Sequence, residues 1–172
     1  MKKAWLLLSL PIILLDQGVK FWAKETLLAS TDPFSSRFTV PPPESLIPGI
    51  AFTYAENTGA AFSLLSGGGA RWFLTIISAL AAAAIVYIVC KDWVTSTFGV
   101  ISISCVLGGA VGNLIDRALR GYVVDMFEFT FMTFAIFNVA DIFISVGGAC
   151  FCLYLLLEMR KVKKNAPVDK NG

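Results

Sequence analysis

The chain has 172 residues, of which 56% are hydrophobic and 15% charged, with a net charge of +2 and no histidine. Soluble domains sit nearer roughly 45–50% apolar, so this composition describes an integral membrane protein of one compact domain. The missing histidine removes the usual general base, the Ser-His and Cys-His nucleophile systems and the usual zinc ligands, and the small net charge gives no sign of a nucleic-acid partner.

Four apolar spans are predicted in chain order, at residues 4–22, 72–90, 94–115 and 134–157, each near the ~20 residues that a bilayer requires. The first is interrupted by Pro11, Asp16 and Lys20. Its start, with Lys2 and Lys3 ahead of an apolar run, resembles a secretory signal, but Asp16-Gln17-Gly18-Val19-Lys20 follows in place of a small-x-small cleavage site, so it is read as a retained helix. A long segment follows, with Pro41-Pro42-Pro43 and Pro48-Gly49 forbidding a continuous helix. Ile50, Phe52 and Tyr54 then alternate as in a half-buried strand, and Phe62 and Leu64 repeat the period, predicting a small sheet on one membrane face. Ser66-Gly67-Gly68-Gly69 is a flexible joint into the second span. The third span is rich in Gly and Ser. A short connection after it carries Phe127, Phe129, Phe131 and Phe134, which suit the interfacial zone. The membrane domain thus occupies residues 1–164, and 165–172 is a polar, disordered tail.

Basic residues set the orientation. Lys2, Lys3, Lys91, Arg160, Lys161, Lys163 and Lys164 crowd the short segments on one side, while those on the other are spread over much longer ones, so both termini are expected in the cytoplasm. The four cysteines, at 90, 105, 150 and 152, lie in apolar runs and read as reduced packing residues; Cys150 and Cys152 point roughly 200° apart on a helix and cannot share a metal.

With that orientation the rare polar residues converge on one face. Asp16 and Lys20, four apart at the outer end of the first span, can pair. Asn113 and Arg117 fall at the outer end of the third, Asn138 and Asp141 in the first turns of the fourth, and Asp125 and Asn57 in the outer segments. Several have a bland reading: Lys20 as a snorkelling anchor, Asn138 as a helix cap, and Arg117 as an interfacial anchor or a partner of Asp116. Gly108-Gly109-Ala110-Val111-Gly112 has the look of a dinucleotide loop, but no strand precedes it, and close helix packing accounts for it. Asp125 and Asp141 resist dismissal, since ionisable groups at membrane depth are expensive and mark function, although a structural salt bridge to Arg117 stays open for either. Two carboxylates held close share a proton; the ionised one takes a proton from an attacking water and the other donates to the oxyanion or leaving nitrogen. No metal or cofactor is needed.

At these residues the chain resembles the bacterial lipoprotein signal peptidases, or signal peptidase II. The blocks are Asp16-Gln17-x-x-Lys20, Asn57-Thr58-Gly59-Ala60-Ala61-Phe62, Gly108-Gly109-x-x-Gly112-Asn113-Leu114-Ile115-Asp116-Arg117, Val123-Val124-Asp125 and Phe137-Asn138-x-Ala140-Asp141, five in order across almost the whole folded part. The resemblance implies a mostly α membrane fold: a bundle of four transmembrane helices with an extracytoplasmic β-cradle and a short outer amphipathic helix. It implies an aspartic endopeptidase of the bacterial cytoplasmic membrane, acting near the outer face on diacylglyceryl-modified prolipoproteins and cutting just before the lipidated cysteine, with globomycin-type peptides as inhibitors. Asp125 and Asp141 take the catalytic positions, and Asp16, Lys20, Asn57, Gly59, Gly109, Asn113, Arg117, Asn138 and Ala140 the supporting ones. The enzyme is expected to act as a monomer among membrane lipids.

Two departures stand out. Met126 follows Asp125 where an aromatic is usual, which should change packing and spare the chemistry, and the Pro-rich stretch at 40–48 matches no family pattern. Two rival classes remain on the residues alone. A proton-coupled transporter would use Asp16, Asp125 and Asp141 as a relay, but would need polar groups through the full membrane depth. A non-catalytic scaffold would tolerate isosteric changes at both aspartates.

Overall fold

The computed structural model describes residues 2–27, 38–39, 48–59 and 68–165. A 3-10 helix, Lys2–Leu8, runs directly into α1, Ser9–Leu27. The change of winding at Ser9 puts Pro11 close to the start of the α-helical segment, where proline is best tolerated. Then come β1 (Phe38–Thr39), β2 (Ile50–Asn57), α2 (Gly68–Cys90), α3 (Thr97–Leu119), β3 (Val123–Phe129) and α4 (Val139–Asn165).

Among the described residues, four helices are long and apolar enough to cross a membrane: Lys3–Leu27, Trp72–Cys90, Thr97–Leu119 and Val139–Lys164. Trp22 and Trp72 lie exposed at the sheet end of the bundle, and Trp5 and Trp93 at the opposite end, the two-belt placement that indole rings favour at membrane interfaces. α3 is the central helix, packed against α1, α2 and α4.

Glycines allow the close approaches. A Cβ on Gly109 would lie 2.3 Å from the carbonyl oxygen of Ala140 on α4, and one on Gly108 2.8 Å from Ile12 on α1. The glycine run therefore serves helix packing.

Several helix boundaries differ from the sequence expectation. α1 continues past residue 22 to Leu27, because Lys20 is paired inside the bundle and does not end the helix. α3 runs to Leu119, so Asn113, Asp116 and Arg117 are helical. α4 starts at Val139 and not near 134, because the stretch before it is extended and bonds to β3: the Phe137 N–H donates to the Phe127 carbonyl at 3.0 Å, and the Met126 and Phe127 N–H groups donate back to Phe137 at 3.0 and 2.9 Å. At its far end α4 continues to Asn165, carrying the basic residues 160–164 on helix.

The sheet has the order β1-β2-β3 with both pairings antiparallel. β3 is a strand the sequence reading treated only as an aromatic connection. β2 contains a bulge between Phe52 and Ala55, so Thr53 and Tyr54 are both buried and the expected alternation breaks there. The sheet rests on the end of α1 through a cluster of Ala23, Leu27, Tyr54, Val124 and Met126. Met126 is fully buried in that cluster.

All four cysteines are free; Cys90 and Cys152 are exposed on the apolar surface and do not pack in the core. Phe62, Leu64, Ser66, Gly67, most of the Pro-rich stretch and the terminal residues 166–172 lie outside the described residues, as would any short outer amphipathic helix, while Gly68 and Gly69 begin α2.

Candidate active site

Asp125 and Asp141 are brought together by β3 and the first turn of α4. Asp125 is placed by the sheet: it opposes Ala55 across the pair, directly after the bulge, and Asn57 is its diagonal neighbour. A bulge beside a site re-aims the side chains that follow it. Asp125 is buried, with two amide donors on its two oxygens: Asn57 Nδ2 to Oδ2 at 3.0 Å and Asn138 Nδ2 to Oδ1 at 2.6 Å.

Asn57 is itself held. Its Oδ1 accepts the Gly59 N–H at 2.8 Å. Gly59 has φ +86°, a left-handed backbone conformation that favours glycine.

Asp141 is placed by helix capping. Asn138 Oδ1 accepts the Asp141 N–H at 3.0 Å, and Asp141 Oδ2 accepts the Asn138 N–H at 3.1 Å. This is the reciprocal capping box, with Asn at the N-cap and Asp three residues on. Asn138 therefore caps α4 and serves the site at once, since its Nδ2 reaches Asp125. The other Asp141 oxygen accepts Asn113 Nδ2 at 2.9 Å. A carboxylate in the first turn of a helix also gains from the helix dipole.

Behind the pair lies a buried ionic cluster. Lys20 is fully buried and does not snorkel; its Nζ donates to Asp16 Oδ2 at 2.8 Å, Asp116 Oδ2 at 2.9 Å and Asn113 Oδ1 at 2.8 Å. Asp16 Oδ1 accepts the Ala140 N–H at 2.9 Å, tying α1 to the start of α4. Gly112 makes room for that carboxylate, because a Cβ there would lie 2.5 Å from Asp16 Oδ2.

Asp116 pairs with Arg120 and Lys20, accepts Gln17 Nε2 at 3.2 Å and accepts the N–H of Val124, the neighbour of Asp125, at 3.3 Å. Asp116 was not among the site residues read from the sequence, though its i, i+4 relation to Arg120 was visible there. Arg117 is half-buried and within electrostatic reach of Asp141, Asp125 and Asp116.

Burial pushes the Asp125 carboxyl up to about 6; the nearby Asp141 adds to this, and the amides of Asn57 and Asn138 and the Lys20 charge oppose it. Asp125 is thus poised to hold a proton close to neutral pH. Asn57 and Asp141 also line a groove of about 480 Å³ whose other walls include Phe129, Phe134, Ile136, Phe137, Ile142 and Val146. The groove is mostly apolar, with Asn57, Asp141 and Ser145 as its polar lining residues.

Comparison with known proteins agrees with this architecture. The family model described as signal peptidase (SPase) II matches residues 8–157. A lipoprotein signal peptidase from Enterococcus faecalis is 38% identical over 160 residues, covering 90% of this chain and 96% of that protein. One from Trichormus variabilis is 43% identical over 142 residues, covering 80% of each. A bacterial membrane enzyme structure solved in meso at 2.3 Å superposes with a TM-score of 0.70 at 31% identity, covering 98% of this chain and 94% of that one. A second, at 1.9 Å, also gives 0.70, at 33% identity and 89% and 92% coverage. With its family model, its sequence relatives and its structural neighbours in agreement, the chain belongs to the signal peptidase II family of membrane peptidases that process lipoproteins.

Proposed function

We propose that the protein is an aspartic endopeptidase that cuts diacylglyceryl-modified prolipoproteins on the N-terminal side of the lipidated cysteine, using Asp125 and Asp141 as the catalytic pair. The observation that carries the reading is that two carboxylates from different elements, Asp125 on β3 and Asp141 on α4, both accept hydrogen bonds from Asn138, with Asp141 on the wall of a mostly apolar groove.

In the proposed reaction a water held between the pair attacks the scissile carbonyl carbon. Asp141, as carboxylate, takes the water proton, and Asp125, as carboxylic acid, donates its proton to the carbonyl oxygen. The tetrahedral diol collapses as Asp141 returns a proton to the departing amide nitrogen; the C–N bond breaks, and the diol hydroxyl proton goes back to Asp125. The raised Asp125 carboxyl supports giving it the acid role, with titration belonging to the coupled pair. The peptide around the scissile bond unwinds and pairs with the sheet through its main chain, while its signal helix stays in lipid.

Both termini lie in the cytoplasm and the sheet faces outward, supported by the density of Lys and Arg at the opposite end. The protein works as a monomer in the membrane, and globomycin-type peptides occupy the same groove.

The test is cleavage of a lipidated prolipoprotein by purified protein with nothing added, comparing wild type with D125N and D141N. Each folded variant should lose roughly 10²- to 10⁴-fold in rate, as expected for removal of a general acid or base. Near-full activity in either would make that aspartate structural. If wild type leaves the substrate uncut, the proton-relay transporter becomes the leading account.

A further inference from the structure

We propose that Lys20 is a positioning residue for this reaction: its buried ammonium fixes the direction of the Asn113 and Asn138 amides, so that both aspartates are met by an amide N–H. The inference rests on the aspartic reading above and adds a role for a charge that never meets the substrate.

Lys20 has three N–H groups and three acceptors, on Asp16, Asp116 and Asn113. An ammonium only donates. Asn113 must therefore turn its oxygen toward Lys20, which leaves its Nδ2 facing Asp141 Oδ1 at 2.9 Å. The same Asn113 oxygen accepts Asn138 Nδ2 at 3.1 Å, and that nitrogen also reaches Asp125 Oδ1 at 2.6 Å. The Asn138 oxygen is then left for the Asp141 N–H at 3.0 Å. Turning Asn113 over would set N–H groups against the ammonium and the Asn138 amide, and a carbonyl against a carboxylate. Lys20 thus sets the polarity of a chain of amides that ends on both aspartates.

Asp16, Asp116 and Arg120 fit this role as its charge balance. Lys20 and Arg120 carry two positive charges, and Asp16 and Asp116 two negative ones. A buried ion left unpaired is strongly destabilising, whereas a buried pair is often replaced by uncharged groups of similar size at little cost. Stability alone is therefore a weak reason for the cluster. Neither Lys20 nor its two carboxylate partners line the groove.

The contrast between charge balance and amide direction gives the experiment. Full-length wild type, K20M, D16N and K20M/D16N, the last of which keeps the Asp116–Arg120 pair, are purified, and melting temperature, kcat and KM for a diacylglyceryl lipopeptide are measured. Each single variant leaves the cluster one charge out of balance and should melt lower; the double restores balance and should recover most of that loss. Its kcat should stay roughly 10- to 100-fold below wild type, as a misplaced catalytic group costs, with KM within about twofold because Lys20 lies off the groove.

Recovery of wild-type kcat along with stability would overturn the proposal, as would a loss confined to KM. If the double variant does not recover its stability, N113D carries the test: it keeps an acceptor for Lys20 but removes the N–H to Asp141, and a wild-type rate there also overturns the proposal. Failure of the aspartic reading shows separately, as an inactive wild type or an active D125N.

Discussion

The two ends of the helix bundle solve the problem of polar groups in a membrane differently. At the end away from the sheet, Val89, Val94, Val100, Ile103 and Tyr154 form an aliphatic and aromatic core. The hydroxyls of Ser102 and Ser104 there turn back onto Phe98 and Val100 of their own helix, at 2.8 and 2.6 Å. The ion pairs at that end, Lys3 with Asp92 and Lys161 with Glu158, are exposed. At the sheet end, Asp16, Lys20, Asn113, Asp116, Asp125 and Asn138 are buried, and their partners come from α1, α3, β3 and α4. Local satisfaction makes one end tolerant of small displacements. Satisfaction across elements makes the other sensitive, since moving any one helix strands a buried donor or acceptor. Changes at the sheet end should therefore register in catalysis, and changes at the opposite end in stability.

The largest effect expected from this contrast is a pH dependence of stability centred on Asp125. Its carboxyl rises from 3.8 to about 6 on folding, so between those pH values the folded protein keeps a proton that the unfolded chain has lost. Stability from this group is intact below about pH 4 and falls as pH rises toward 6, by about 3 kcal/mol in all. Wild type should lose melting temperature relative to D125N over that window and run parallel to it above. A flat difference would mean that Asp125 is solvated like an ordinary surface carboxylate.

Next in size is G112A. The added Cβ would lie 2.5 Å from Asp16 Oδ2 and 3.0 Å from its Cγ, which forces the carboxylate off Lys20 and the Ala140 N–H. Overpacking of this kind costs about 1–3 kcal/mol, and the shifted start of α4 should lower kcat by roughly 100-fold. A variant that melts low but cuts at the wild-type rate would break the link between α1 and the site.

The helices and the meeting of polar residues were legible in the sequence because both follow from short-range patterns: apolar length gives the spans, and depth along each span gives the shared face. The pair of Asp16 and Lys20 was readable from i, i+4 spacing. β3 was not legible. Val123-Val124-Asp125-Met126-Phe127 is an apolar run that becomes a strand through pairing with β2, a contact between segments far apart in the chain. The start of α4 was misplaced because Phe134 to Phe137 is as apolar as the helix that follows; the signal that overrides it is the Asn138-x-x-Asp141 capping box. Asp116 was missed because Arg117, beside it in sequence, drew the pairing that Arg120 and Lys20 supply in space.

At the end away from the sheet the expectation reverses. In G99A the new Cβ would lie 2.7 Å from Val94 Cγ1 and 3.0 Å from two Tyr154 ring carbons. These are side-chain contacts in a core where the described residues form no buried ion pair, so the cost should be about 1–3 kcal/mol of stability, with kcat and KM within about twofold of wild type below the melting transition. A tenfold fall in kcat in the folded variant would show that the two ends are coupled through α3 and α4.

The smallest effect is expected at the turn between α2 and α3. Asp92 has φ +58°, where glycine is better tolerated, and its carboxylate pairs with Lys3 at 2.9 Å with both side chains largely exposed. Replacing it in D92G relieves the left-handed backbone by up to about 1 kcal/mol, less for Asp than for most residues. The change also removes an exposed ion pair worth about 0–1 kcal/mol and adds chain entropy to the unfolded state. These terms oppose and are of similar size, so the net change should stay within about 0.5 kcal/mol. A melting curve in low and high salt separates them, because only the ion pair is screened: D92G should gain on wild type as salt rises, with kcat unchanged throughout. A loss of activity would mean that the anchoring of the first span by Lys3 reaches Asp16 and Lys20, and that the division between the two ends is less complete than the burial pattern implies.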